Sequence, residues 1–164
     1  MNKKIARTAI IAVLYFVLTM AVAPLSFGPV QFRFSECLTM LAIFYPEAII
    51  GLTVGCFFSN LLGTGLILDM LFGTLATFLS SLLTFIICLK LKKILIKSIV
   101  CILFNVVLNA FLVPICFIGF TFVANVYFFG ALTVGFGQLV VLCTLGVLVS
   151  FSVDKLMQKS QFLQ

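Results

Sequence analysis

Charged residues and proline–glycine breaks divide the chain into six apolar stretches. They lie at about residues 8–23, 31–44, 48–62, 66–89, 98–118 and 130–153, and each is read as a helix. The first ends at Pro24-Leu25-Ser26-Phe27-Gly28-Pro29. The second and third are joined by Tyr45-Pro46-Glu47, where proline and an acid suit the first turn of a new helix. Gly63-Thr64-Gly65 closes the third, and Lys90, Lys92, Lys93 and Lys97 form the one basic run after the fourth. Residues 119–129 read as a loop that dips into the membrane interface. A polar tail follows the sixth stretch. Small residues recur four apart in Gly51, Gly55 and Ser59, and again in Gly73, Thr77 and Ser81. Such stripes let helix backbones approach closely inside a bilayer.

Composition turns these stretches into membrane spans. Of 164 residues, 64% are hydrophobic and 9% charged, against roughly 25% charged in soluble domains. A spanning helix needs about 20 apolar residues, so the length accommodates six compact spans and no soluble domain. The expected fold is an all-α integral membrane protein, residues 1–164 forming a single transmembrane domain. Basic residues set its orientation. With the N-terminus in the cytoplasm, Lys3, Lys4, Arg7, Lys90, Lys92, Lys93, Lys97, Lys155 and Lys159 lie inside and Arg33 alone lies outside. An even number of spans puts the C-terminus inside as well. Ala21-Val22-Ala23 after a basic start also resembles a signal-peptide cleavage site. Pro24 would directly follow the cut, and its loss would leave five spans, so the stretch is read as a retained helix.

Several chemistries are excluded. The chain has no His and no Trp, which removes imidazole catalysis and the common zinc ligand sets. It has no G-x-x-x-x-G-K-[ST] phosphate loop and no acidic cluster to hold magnesium. No enzyme activity, cofactor or metal is expected. The six cysteines form no C-x-x-C pair and read as small apolar packing residues. The lysines report topology, not nucleic-acid binding.

Polar residues inside spans are costly and so are informative. In the deduced orientation Gln31, Arg33 and Glu36 lie at the outer end of the second stretch, Asn60 at that of the third and Asp69 at that of the fourth. Asn125 and Tyr127 precede the sixth stretch, while Asn109 and Gln138 lie near mid-membrane. This one-sided set predicts a polar pocket open to the outside. Structural roles compete. Arg33 and Glu36, three apart, can pair with each other. Asp69 can answer the positive end of its helix. Asn105 and Asn109 can join neighbouring helices. Glu47, on the inner side, fits helix-start chemistry.

The segments GPVQFRFSE, FYPEAIIGL, the Asn60-Leu61-Leu62-Gly63 step and LILDMLFGTLAT resemble the QueT-type queuosine-precursor transporter family. Ala9-Ile10-Ile11-Ala12-Val13-Leu14-Tyr15 is similar to its first helix. Weaker similarity covers residues 105–110 and 132–146. The resemblance implies the substrate-binding S component of an energy-coupling factor (ECF) importer in a bacterial cytoplasmic membrane. It implies six helices, both ends inside, a ligand site near the outer face, and as partners a transmembrane coupling subunit and two ABC ATPases. The implied ligand is a 7-deazaguanine such as 7-aminomethyl-7-deazaguanine or queuine. Carboxylates and amides suit its N–H edge and cation. The implied substrate-binding set is Gln31, Arg33, Glu36, Asn60, Asp69, Asn109, Tyr127 and Gln138. Thr8, Ala9 and Ala12 would meet the coupling subunit. Val13 departs from an Ala-x-x-x-Ala stripe after Ala9, and Gln138 stands where an acid is usual. A stand-alone ion-coupled carrier using Glu36 or Asp69 is the alternative, opposed by the lack of two similar halves. A binding scaffold is a third, opposed by the insertion cost of the polar set.

Overall fold

The computed structural model describes residues 3–28, 30–118 and 124–162. Helix α1 (Lys3–Ala21) is followed by a single turn, α2 (Ala23–Ser26), and by a 3₁₀ helix (Phe34–Ile43). Then come α3 (Glu47–Gly63), a π turn (Asp69–Gly73) that runs into α4 (Thr74–Cys88), α5 (Ile94–Leu112) and a single turn α6 (Ile115–Ile118). The chain ends with α7 (Ala124–Val141), a second π turn (Leu142–Gly146) and α8 (Val147–Phe162). Four helical stretches among the described residues are long and apolar enough to cross a membrane: Lys3–Ala21, Asp69–Cys88, Ile94–Leu112 and Ala124–Lys159. Phe34–Ile43 and Glu47–Gly63 are shorter apolar helices.

The surfaces are those of a chain solvated by lipid. On α1 only Ile11, Tyr15 and Thr19, spaced four apart, are buried. Ile5, Ile10, Val13, Leu14 and Val17 point outward. In water such a face would demand a partner; hydrocarbon solvates it at no comparable cost.

Helices α1 and α3 run side by side in the same direction. A Cβ on Gly51 would stand 2.8 Å from Thr8 O, and one on Gly55 2.7 Å from Ala12 O and 2.8 Å from Tyr15 Cβ. Gly51 and Gly55 are thus buried against α1, an internal contact that a methyl group at either glycine would open.

Parallel neighbours require the chain between them to return across the bundle. The 3₁₀ helix does this. Its rise of about 2.0 Å per residue carries ten residues roughly 20 Å, where an α-helix would cover about 15 Å. The sequence predicts an ordinary helix over 31–44; the 3₁₀ form over Phe34–Ile43 reflects the distance to be spanned with few residues. This element touches α1, α3, α4, α5, α7 and α8, so it is buried on most sides, and Ser35, Glu36 and Thr39 lie inside with Met40 and Ile43.

Other boundaries differ from the apolar pattern. Helix α5 begins at Ile94, inside the basic run, because Leu91 and Ile94 pack on the cluster of Met40, Cys88, Cys101 and Leu142. It ends at Leu112, before Pro114, which cannot continue the hydrogen-bond ladder. Residues 124–129, expected in a loop, form the first turns of α7. No proline or glycine interrupts them, and Tyr127 Oη donates to Phe111 O at 2.9 Å, at the end of α5. Residues 119–123 of that expected loop lie outside the described residues. Side-chain bonds cross between elements at Ser80–Asn105 (3.0 Å) and Ser98–Ser150 (2.8 Å). Such bonds contribute about 0.6 kcal/mol each inside a membrane protein.

Candidate functional site

The end of the bundle where α1 finishes and the 3₁₀ helix starts gathers the polar side chains. Glu36 is in the first turn of the 3₁₀ helix and fully buried. Its Oε1 accepts the hydroxyl of Tyr15 from α1, while its Oε2 is buried without a hydrogen-bond partner. Tyr15 sits on the inward stripe of α1 between Ile11 and Thr19, which is why it reaches Glu36. Thr19 continues the link, with its hydroxyl 2.7 Å from Ser35 Oγ. The sequence pattern marks Tyr15 only through its spacing from Ile11 and Thr19.

Arg33 precedes the 3₁₀ helix in extended conformation and is 3% exposed. It makes no ion pair with Glu36 within 4.0 Å. Its Nε donates to Ser26 O at 3.2 Å, one terminal nitrogen lies 4.0 Å from Cys56 Sγ, and the guanidinium stacks over the Phe27 ring at 5.3 Å. Phe27 in turn lies on Gly63, where a Cβ would come 2.1 Å from the ring. The charge also acts electrostatically on Glu36, Tyr15 and Asp69.

Asn60 and Asp69 join this group. Asn60 Nδ2 donates to Asp69 O at 3.0 Å and to Cys56 Sγ at 3.5 Å, which leaves Asn60 Oδ1 buried and unpartnered. Gly73, at the end of the π turn, admits this contact: a Cβ there would be 2.8 Å from Asn60 Nδ2 and 3.8 Å from an Arg33 terminal nitrogen. Asp69 is 5% exposed.

Helix α7 closes over the connection before Arg33. Gly137 packs on Val30 and Gln31, where a Cβ would stand 2.3 Å from Val30 O and 3.3 Å from Gln31 O. Gln31 is buried and adopts φ +49°, a left-handed backbone that costs a non-glycine residue roughly 1–2 kcal/mol. Bonds from Gln31 N to Gly28 O (3.0 Å) and from Arg33 N to Gln31 O (2.9 Å) hold it. Gln138 follows Gly137, is 1% exposed, and has a buried Oε1 without a partner.

Two further candidates are bound differently. Asn109 is buried, but its Nδ2 turns to Asn105 O on its own helix at 2.9 Å. Tyr127 is engaged with the end of α5 as described above. Glu47 lies at the opposite end, paired with Arg7, whose guanidinium also stacks over Tyr45 at 4.4 Å. Of the residues expected to meet a coupling subunit, Ala9 and Ala12 line an open apolar groove of about 480 Å³ between α1 and α3, with Phe16, Val54 and Phe58 among its walls. Thr8 sits under α3, its hydroxyl bonded to Lys4 O (3.1 Å) and Glu47 O (3.3 Å). The groove contains none of the polar cluster.

Apolar helices of spanning length around a buried, incompletely paired polar cluster are the make-up of a multi-pass membrane protein. The family model described as QueT transporter matches residues 5–155, and the chain belongs to the QueT transporter family. A relative from Lactococcus lactis subsp. cremoris, named queuosine precursor transporter QueT, is 43% identical over 75 residues. The match covers 44% of this chain and 44% of the relative, so the chain spans less than half the length of the curated relative it matches. No solved structure matches.

Proposed function

We propose that the chain is the substrate-binding subunit of an ECF importer, capturing a queuosine precursor of the 7-deazaguanine type from outside the cell. The carrying observation is that three of the five buried side-chain oxygens without partners among the described residues, Glu36 Oε2, Asn60 Oδ1 and Gln138 Oε1, belong to residues expected to bind ligand; the other two are the hydroxyls of Thr74 and Thr84. A buried polar atom left unpaired costs about 1–3 kcal/mol. A ligand rich in N–H donors removes that cost. Tyr15 holds one oxygen of Glu36, so the other faces a single ligand N–H. Asn60 and Gln138 accept from neighbouring donors, and Asp69 suits an aminomethyl cation.

In this reading six segments cross the cytoplasmic membrane of a bacterial cell with both ends inside, and the polar cluster lies toward the outer face. Reporters fused after Lys93 and at the C-terminus then read cytoplasmic, and one inserted near Gly63 reads outside. The groove beside Ala9 and Ala12 receives the transmembrane coupling subunit, and two ABC ATPases drive uptake. Equilibrium binding of 7-aminomethyl-7-deazaguanine, queuine and guanine to the purified chain tests the ligand. The first two bind and guanine binds more weakly; equal or absent binding of all three refutes the assignment. Concentrative uptake by this chain alone in liposomes without ATP would place it instead among ion-coupled carriers.

A further inference from the structure

Cys56 sits on α3, one turn before Asn60, and is fully buried. A small side chain on a bundle helix ordinarily fills space. Here polar groups from three parts of the chain converge on its sulfur: an Arg33 terminal nitrogen at 4.0 Å, Asn60 Nδ2 at 3.5 Å and Thr77 Oγ1 at 3.4 Å, the last sharing its hydrogen with Gly73 O at 3.2 Å. Two of these groups, Arg33 and Asn60, belong to the proposed ligand set.

Sulfur is a weak acceptor but a large one. It accepts from neighbouring donors at 3.4–4.0 Å. Both hydrogens of the Asn60 amide are taken, one by Asp69 O and one by Cys56. The carbonyl is then the one group of Asn60 left for a ligand, and it is the atom without a partner.

We propose that Cys56 is a positioning residue: its sulfur orients the Arg33 guanidinium and the Asn60 carboxamide so that Asn60 Oδ1 is presented to the ligand. The role rests on reading this cluster as the ligand site. Cys56→Ala lowers affinity for 7-aminomethyl-7-deazaguanine about tenfold, and Cys56→Ser, which keeps an acceptor, recovers most of it. Thermal unfolding of each variant is the control, because a cysteine that only packs would shift melting and leave affinity alone. Wild-type affinity in Cys56→Ala overturns the proposal, as does a Cys56→Ser variant no better than alanine. A ligand-independent reading uses the infrared S–H stretch of Cys56, assigned by its loss in Cys56→Ala. The band moves in Thr77→Val and Arg33→Gln if these groups donate to the sulfur; an unmoved band overturns the contact. A wild-type chain that binds none of the probe while the band moves refutes the ligand assignment and upholds the contact.

Discussion

Replacing Glu36 by Gln tests the proposed site at its best-defined atom. The amide oxygen can still accept the Tyr15 hydroxyl, so the link between α1 and the 3₁₀ helix survives. The change falls on the second position, where the unpartnered Oε2 becomes an NH₂ group. A ligand N–H that met a carboxylate oxygen now meets another donor. Loss of a charge-assisted hydrogen bond costs about 1.5–3 kcal/mol, which corresponds to an affinity loss of roughly tenfold to a hundredfold. Calorimetric or fluorescence titration of purified protein with 7-aminomethyl-7-deazaguanine measures it. Tyr15→Phe is the companion variant. It frees Oε1 and lets Glu36 rotate, so affinity falls while the carboxylate is still present. Glu47→Gln is the control, because Glu47 pairs with Arg7 at the other end of the bundle, and it leaves affinity unchanged. A Glu36→Gln protein that inserts, folds and binds with wild-type affinity refutes the assignment of Glu36 to the pocket.

Three other outcomes follow from the same geometry. Asp69→Asn weakens binding of the aminomethyl cation by about tenfold and changes guanine binding little; equal losses for both ligands in parallel titrations would remove Asp69 from the cation's side. Gly137→Ala forces a Cβ to within 2.3 Å of Val30 O, so α7 is displaced from the Val30–Gln31 connection. It costs about 1–3 kcal/mol of stability, read as a lower melting temperature, and ligand affinity falls with it. Ala9→Trp fills the groove on the α1–α3 face and abolishes ATP-driven uptake in cells while the purified chain binds ligand normally; uptake at the wild-type rate would exclude this face as the docking surface.

The membership of the QueT transporter family was legible in the sequence through its middle third, and the membrane class through its apolar runs. Insertion into lipid sums over consecutive residues, so it can be read along one dimension. The same one-dimensional accounting marks Arg33, Glu36, Asn60, Asp69 and Gln138 as costly and therefore purposeful, and all five are buried. What it cannot give is who meets whom. Glu36 and Arg33 are three residues apart and look like partners, yet Glu36 takes Tyr15 from another helix and Arg33 turns to Ser26 and Cys56. Cys56 looks like filler because nothing local reveals the donors that α4 and the Arg33 segment bring to it. Gly137 is an ordinary glycine until α7 is laid on Val30. The 3₁₀ form of Phe34–Ile43 is likewise set by the distance the chain must cover beside parallel α1 and α3, a constraint that exists only once those helices are packed. Hydrophobicity is a property each residue carries with it; a hydrogen bond or a close backbone approach belongs to a pair, and only the tertiary structure chooses the pairs.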